Sequence, residues 1–247
     1  VRVRCRGQPP EAESRIAQLE QRARYDWRVA WYRGKALLAG NSPQDALRQF
    51  DVVLGELPGE LAPKLAIGLG YELATDARNA VVYYESVTRT DPLCTAAAFG
   101  LARAQLANGD RAAAVAALES VSASSVRFVQ AQLAVARALA GDQQSLPNVD
   151  ELQHAARVID GLKGLIDGLP AHAISADFFR VASEVVERDG SAASAAHELL
   201  LGIAATPSTL RAAAERELRL CARYATDRAT RVGYVDQANG VRPRTLW

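Results

Sequence analysis

Three consecutive segments of this 247-residue chain align without a gap when the sequence is shifted so that Gly34 falls on Gly68 and Gly68 on Ala102. Of five columns in the alignment, two hold small residues, one holds bulky residues, one holds valine and one holds residues of mixed type. The columns are Gly34, Gly68 and Ala102; Leu37, Tyr71 and Gln105; Ala46, Ala80 and Ala114; Phe50, Tyr84 and Leu118; and Val53, Val87 and Val121. An ordinary helical bundle, the alternative, has a short apolar period and no register of this length. The alignment therefore predicts a repeated structural unit.

A period of about 34 residues with small, aromatic and proline positions in this order is typical of the tetratricopeptide repeat (TPR), a pair of antiparallel helices. Small residues are expected where the two helices approach most closely, because side chains at a contact set the interaxial distance. Pro58 and Pro92 are expected to end the second helix of their units. The pattern predicts an all-α TPR helical solenoid with a C-terminal helical cap. Such a scaffold binds other polypeptides and is not itself an enzyme.

The register assigns three complete repeats to residues 27–128, with bounds at 27–60, 61–94 and 95–128. Extended backwards, it places Ala12, Ile16 and Leu19 in the second helix, at 11–24, of a truncated repeat at 1–26, with residues 7–10 as its turn. Since that repeat starts in mid-helix and the chain contains no Met, we expect further sequence upstream of Val1. A natural helical cap at the start is the alternative.

The register weakens after residue 128. Residues 129–170 form a degenerate fourth repeat, with helices predicted at 129–140 and 149–165 and an end at Gly168-Leu169-Pro170. Residues 171–247 are assigned to a helical capping region. Its helices are predicted near 173–188, 191–204, 207–225 and 227–239.

Composition limits the classes of partner. The net charge of +1, with 49% hydrophobic and 23% charged residues, indicates a folded protein and gives no support to nucleic acid as a ligand. No apolar run approaches the roughly 20 residues that span a bilayer, so membrane insertion is not expected. The cysteines, Cys5, Cys94 and Cys221, are few and scattered, which favours a reducing cytoplasm.

No catalytic constellation is recognisable. His154, His172 and His197 have no cysteine or carboxylate at metal-ligand spacing, and Gly68-Leu69-Gly70 is a lone motif inside a helix. We therefore expect no catalytic, cofactor-binding or metal-binding residue in this chain. The arginines that follow Thr209 alternate with acidic residues, which favours a solvated helix face. A patch for an acidic partner is the alternative.

In a TPR superhelix the first helix of each repeat lines the concave face, so counting from the repeat starts predicts a groove. The predicted groove consists of Arg28, Trp31, Lys35 and Leu38 in the first repeat, Leu65, Leu69 and Glu72 in the second, and Phe99, Arg103 and Leu106 in the third. Large aromatic residues and arginine are frequent anchors of interfaces. The alternative is that Trp31 and Phe99 are buried against neighbouring units.

Four stretches carry a family resemblance. Residues 26–34 read Asp-Trp-Arg-Val-Ala-Trp-Tyr-Arg-Gly, and residues 58–66 read Pro-Gly-Glu-Leu-Ala-Pro-Lys-Leu-Ala. Residues 97–104 read Ala-Ala-Phe-Gly-Leu-Ala-Arg-Ala, and residues 234–243 read Tyr-Val-Asp-Gln-Ala-Asn-Gly-Val-Arg-Pro. Together they resemble the C-terminal TPR domain of the actinobacterial serine/threonine protein kinase G (PknG) type. The resemblance runs from about residue 11 to the end and is weaker over 141–205.

The resemblance implies a regulatory role. In that family a rubredoxin-like module and a kinase domain precede the repeats, and ATP and magnesium belong to the kinase domain. The kinase regulates 2-oxoglutarate and glutamate metabolism through an FHA-domain substrate. The repeats are implicated in packing against the kinase domain, in substrate recruitment and in homodimer formation. A free-standing TPR adaptor with no kinase domain is the alternative.

Overall fold

The computed structural model describes residues 9–23, 26–140, 146–188 and 199–243. Within these ranges the chain forms twelve α-helices and one two-stranded β-hairpin. Contacts between Cα atoms divide the chain into two compact units, Val1–Ser120 and Val121–Trp247. No helix in the described ranges has both the length and the apolar character that crossing a bilayer requires.

The first unit is a series of helices in which each packs against the next along the chain. Its helices are α1 Pro9–Arg22, α2 Trp27–Ala39, α3 Pro43–Glu56, α4 Leu61–Leu73, α5 Ala77–Thr90, α6 Thr95–Ala107 and α7 Arg111–Glu119. Helices α2, α4 and α6 each contain 13 residues, and α4 also contacts α6 directly. This alternation is the TPR solenoid that the period of the sequence predicts.

The repeat columns form the core of these helices, except that Val121 follows α7 and belongs to the second unit. Every member of the two small columns, the bulky column and the valine column is buried, whereas Leu37, Tyr71 and Gln105 are half-buried. Ile16 on α1 is also buried, as the backward extension of the register predicts. The period therefore identifies which side chains face the interior of the solenoid.

The turn between paired helices recurs with the same period as the core columns. Asn41, Thr75 and Gly109 adopt φ angles of 62°, 60° and 81°. The backbone N–H groups one residue later, of Ser42, Asp76 and Asp110, donate to the carbonyls of Leu37, Tyr71 and Gln105, each at 2.9 Å. Left-handed backbone at a helix C-terminus lets the chain reverse while satisfying the last carbonyls of the helix. In the sequence, this turn position holds Asn in the first repeat, Thr in the second and Gly in the third, so no constant residue marks it.

Glycines on these helices are in contact with bulky side chains of neighbouring helices. A Cβ added at Gly34 would lie 2.6 Å from the Phe50 ring, and one added at Gly68 would lie 2.9 Å from the Tyr84 ring. A Cβ at Gly100 would lie 2.5 Å from the same Tyr84 ring. Tyr84 on α5 therefore fills space that α4 and α6 leave open only because they carry glycine.

The ends of the second helices follow the proline column. Helices α3 and α5 stop at Glu56 and Thr90, two residues before Pro58 and Pro92. The third repeat has Val126 in that column, and its second helix, α7, has only nine residues. It ends before a serine-rich turn in which Ser122 and Ser124 hydrogen-bond to each other. The bounds of the repeats as domains stay a prediction.

The second unit contains longer and less regular elements. They are α8 Phe128–Ala140, α9 Val149–Gly161, α10 Gly168–Arg188, β1 Leu199–Leu200, β2 Ile203–Ala204, α11 Pro207–Tyr224 and α12 Arg228–Val241. Helix α10 spans 21 residues and buries Phe178 and Phe179. Ala176, Leu218 and Ala238 join α10, α11 and α12 in one apolar cluster.

Three boundary predictions in this part of the chain, and one near its start, are wrong. Gly168-Leu169-Pro170 begins α10 instead of ending the fourth repeat, and Pro9 and Pro10 begin α1 instead of forming a turn. Proline is tolerated in the first turn of a helix, where the N–H has no acceptor within the helix. The helix predicted at 149–165 ends at Gly161, and the left-handed Gly164, with a φ of +81°, excludes its continuation to residue 165.

The helix predicted at 191–204 is wrong over 199–204, where β1 and β2 pair antiparallel. Leu201 and Gly202, with φ angles of 52° and 80°, form the two-residue connection. Positive φ at both loop positions matches the twist of paired strands and cannot continue a helix. Residues 191–198 lie outside the described residues.

Candidate interaction surface

The predicted groove residues all lie on α2, α4 and α6. Five of them are exposed, namely Arg28, Lys35, Leu69, Arg103 and Leu106. The other five are half-buried, namely Trp31, Leu38, Leu65, Glu72 and Phe99. The first helices therefore present a surface of mixed exposure, and the groove as a binding site stays a prediction.

Trp31 and Phe99 are neither free nor fully buried. One edge of Trp31 meets the Phe50 ring in a T-shaped arrangement with centroids 5.5 Å apart. Trp31 and Leu38 pack against the cluster of Ala46, Phe50 and Ile67. Removing the Trp31 side chain would therefore disturb the repeat core as well as any partner contact, so exposed residues make cleaner probes of the surface.

An ion pair joins the second and third repeats in the middle of this surface. Arg103 on α6 donates from Nε to Glu72 Oε1 at 2.6 Å and from Nη2 to Glu72 Oε2 at 2.9 Å. The Tyr84 hydroxyl on α5 donates to Glu72 Oε2 at 2.8 Å. The carboxylate of α4 thus accepts hydrogen bonds from two further helices, α5 and α6, and the bidentate arrangement fixes the guanidinium plane of Arg103.

This network shifts the protonation equilibria of its members. Burial, followed by the neighbouring Glu72 carboxylate, raises the pKa of Tyr84 well above its ordinary value. The hydrogen bonds to Glu72 raise the pKa of Arg103. Tyr84 therefore stays a neutral donor and Arg103 a cation whose charge is neutralised within the surface.

The other cations of the predicted groove differ in their partners. Arg28 pairs with Asp26 at 2.9 Å and lies 4.9 Å from the centroid of the Trp27 ring. The hydrogen bond from the backbone N–H of Arg28 lowers the pKa of Asp26. Lys35 lies about 6 Å from the rings of Trp31 and Tyr32 and has no carboxylate partner among the described residues. The surface therefore has weak net charge.

Exposed leucines flank the ion pair. Leu69 on α4 and Leu106 on α6 are 38% and 43% exposed, and Leu73, one turn after Leu69, is 46% exposed. Sequence reasoning missed Leu73 and the Tyr84 hydroxyl. The signal for the ion pair is that Glu72 and Arg103 are separated by slightly less than one repeat, because stacked first helices bring such positions together. No comparable signal marks Leu73.

Outside this surface, the described residues include a histidine–carboxylate pair and two free thiols. His172 shares a hydrogen bond with Glu217 at 2.8 Å and stacks on Tyr224. Cys94 and Cys221 are free thiols, and burial raises the pKa of Cys221 to about 11. Within the described ranges, His, Cys, Asp and Glu form no group of three that could hold a metal ion.

Comparison with known proteins assigns the chain to a family. The family model described as the protein kinase G tetratricopeptide repeat matches residues 1–245. The chain belongs to this family. The matched family model describes the repeat domain of protein kinase G and not a kinase domain.

Two relatives agree with the PknG assignment. The serine/threonine-protein kinase PknG of Mycobacterium leprae (strain TN) is 34% identical over 241 residues, which is 96% of this chain and 30% of that protein. The kinase of the same name from Mycolicibacterium smegmatis (strain ATCC 700084 / mc(2)155) is 33% identical over 242 residues, 98% of this chain and 31% of that protein. The chain thus spans about a third of the length of these relatives.

Proposed function

We propose that the face formed by α2, α4 and α6 holds a polypeptide segment, and that the chain is a regulatory scaffold of a PknG-type kinase. The observation that carries the proposal is the pair of exposed leucines, Leu69 and Leu106, on either side of the neutralised Glu72–Arg103 pair. Clustered exposed apolar side chains mark interaction surfaces more often than single ones do, and Leu73 adds a third exposed leucine to this pair. The TPR family of the chain supports a protein or peptide as the ligand.

Similarity to PknG-type kinases favours two occupants of this face. One is the kinase domain that accompanies the repeats, and the other is the FHA-domain substrate through which such kinases act on 2-oxoglutarate and glutamate metabolism. Either occupant would fit a repeat domain that belongs to a kinase better than it would fit a free-standing adaptor. Homodimer formation is a further part of the proposal, as is a cytoplasmic location, which the free thiols support.

The chain itself is proposed to need no cofactor. ATP and magnesium would act only in the kinase domain. In this proposal the repeats position a substrate or the kinase domain. Phosphoryl transfer is carried out by sequence other than these 247 residues.

A double substitution, Leu69→Gln with Leu106→Gln, tests the proposal. Both side chains are exposed, so the fold should tolerate the change. We expect the affinity for a purified FHA-domain substrate or kinase domain to fall about tenfold or more, since desolvated apolar anchors dominate binding. Isothermal titration calorimetry measures the two affinities.

The matched control is Val52→Gln with Val82→Gln. These valines lie on the second helices α3 and α5 and are 54% and 58% exposed, so the control removes similar apolar area from another face. The control should bind like the wild type. Equal loss in both variants, or loss in neither, would contradict the assignment of the binding face.

A further inference from the structure

The exposed side of α11 carries a line of arginines. Arg216, Arg219 and Arg223 are spaced by three and four residues, which places them within about 60° of arc on one side of the helix. We call these three residues the arginine stripe. Its heads are distributed along about 10 Å of helix axis. The stripe borders a shallow cleft of about 320 Å³ lined by Ala212, Glu215, Arg216, Arg219, Leu220 and Arg223.

The acidic residues of this helix are recessed relative to the arginines. The side chains of Glu215 and Glu217 are 18% and 13% exposed, whereas those of Arg216 and Arg219 are 59% and 45% exposed. Glu217 is engaged by His172 at 2.8 Å, and its other oxygen lies 3.5 Å from Arg216 Nε. The carboxylates therefore position the arginines from beneath and leave the cationic heads facing outward.

The cations of this face outnumber its carboxylates. Glu215 accepts two hydrogen bonds from Arg219, at 2.7 and 3.0 Å, and lies 3.9 Å from Nε of Arg242 at the end of α12. Arg223 is exposed and has no ion-pair partner among the described residues. Three arginines thus share two carboxylates and Arg223 pairs with neither, in a chain whose total net charge is only +1.

We propose that the arginine stripe docks an acidic segment of a partner protein. The cations of the stripe are all arginine, whose planar guanidinium matches a carboxylate through two parallel hydrogen bonds. The three arginines are spaced by about 4.5 and 6 Å along the helix axis, and side chains two residues apart on an extended segment recur about every 6.8 Å. The long arginine side chains can cover this difference, so acidic residues at alternate positions of the segment can reach successive arginines. This site lies on α11 and is independent of the face formed by α2, α4 and α6.

The size and composition of the stripe favour a protein over other polyanions. Specific contact with nucleic acid commonly neutralises about six to ten phosphates, more than four arginines supply. Binding to an anionic membrane surface needs apolar side chains that enter the lipid in addition to cations. The cleft beside the stripe is lined, apart from its polar residues, by Ala212 and the half-buried Leu220.

Fluorescence anisotropy of a labelled oligoglutamate peptide of about twelve residues, titrated with the 247-residue chain at low ionic strength, tests the proposal. Submillimolar binding by the wild type is expected. The variant Arg216→Ala with Arg223→Ala should bind at least about fivefold more weakly, since each exposed ion pair contributes modestly. Both side chains are exposed, and circular dichroism verifies that the variant is folded.

The control Arg78→Ala with Arg89→Ala removes the same charge from an exposed face of α5 and should keep wild-type affinity for the peptide. Failure of the wild type to bind would overturn the proposal, as would equal loss in the two variants. Tighter binding of a single-stranded oligothymidylate or of phosphatidylserine vesicles than of the peptide would also overturn it. Peptide binding by the arginine stripe is expected whether or not Leu69→Gln with Leu106→Gln weakens binding of a partner to α2, α4 and α6, so the two proposals can fail separately.

Discussion

Helical glycines have different roles in the two units of the chain. In the first unit, Cβ atoms added at Gly34, Gly68, Gly70 and Gly100 would lie within 3.0 Å of a side chain on another helix, with Gly55 near the end of α3 as the exception. In the second unit, Cβ atoms at Gly161, Gly233 and Gly240 would meet nothing within 4 Å, with Gly168 at the start of α10, where φ is 59°, as the exception. Glycine inside a helix is therefore a packing requirement in the first unit, whereas in the second unit it mainly lowers helix propensity.

The largest effect is expected for Gly100→Ala. The new methyl group would overlap the Tyr84 ring, which is buried and tied to Glu72 and so cannot move without losing its hydrogen bond. Overpacking of this kind costs about 2 kcal/mol, so the free energy of unfolding of the first unit should fall by that amount. Urea denaturation followed by circular dichroism measures the change.

Gly233→Ala on α12 is the counterpart in the second unit. Because the added methyl group meets no neighbour, the substitution should raise stability by about 0.5 to 1 kcal/mol through better helix propensity. The contrast between the two units would be wrong if Gly100→Ala left stability unchanged. It would also be wrong if Gly233→Ala lowered the free energy of unfolding as much as Gly100→Ala does.

Tyr84→Phe should have the next largest effect. Loss of the hydroxyl bond to a charged acceptor should lower stability by about 1 kcal/mol near neutral pH. The pKa of Tyr84 is raised in the folded chain, so its contribution is complete below the ordinary value of 10.0 and is lost as pH rises through the folded pKa. The wild type should therefore lose stability above pH 10 more steeply than Tyr84→Phe does.

Urea denaturation across this alkaline range provides the test. Tyr32→Phe, at an exposed tyrosine of α2, is the control and should follow the wild-type profile. Parallel profiles for the wild type and Tyr84→Phe would show that the Tyr84–Glu72 bond does not couple stability to pH.

The smallest effect is expected at the turn between α4 and α5. Thr75 is β-branched and adopts a φ of 60°, a region that Asn tolerates better. Thr75→Asn places in the second repeat the residue that the first repeat has at Asn41, and it should raise stability by about 0.5 kcal/mol. Thermal unfolding measures the change.

Gly109→Ala, at the same position of the third repeat, should lower the melting temperature because its φ of 81° disfavours any side chain. A lower melting temperature for Thr75→Asn would indicate that the bond from the Thr75 hydroxyl to the Ala74 carbonyl outweighs the backbone strain.

The sequence predicts the solenoid well because its period encodes packing. Columns of Ala, Val and aromatic residues repeat wherever one helix touches the next, so burial of Ala80 or Tyr84 follows from register alone. The second unit lacks such repetition. Its β-hairpin depends on positive φ at Leu201 and Gly202, and α10 starts at a Gly-Leu-Pro segment that could equally end a helix.

The surface was predictable only in part. Counting positions placed Leu69, Glu72, Arg103 and Leu106 on first helices, where the structure also has them. It could not show that Arg103 is neutralised by Glu72, because side-chain pairing depends on the distance between stacked helices. Counting positions also could not show that the arginines of α11 face solvent while its glutamates are recessed, because the two residue types alternate along the sequence.

The central claim is that a partner covers the first helices of the repeats. Hydroxyl-radical footprinting of the chain, with and without a saturating FHA-domain substrate or kinase domain, tests it most directly. Oxidation of Leu69 and Leu106 should fall on complex formation, whereas oxidation of Val52 and Val82 should not change. Protection of the two valines with continued oxidation of the two leucines would contradict the account.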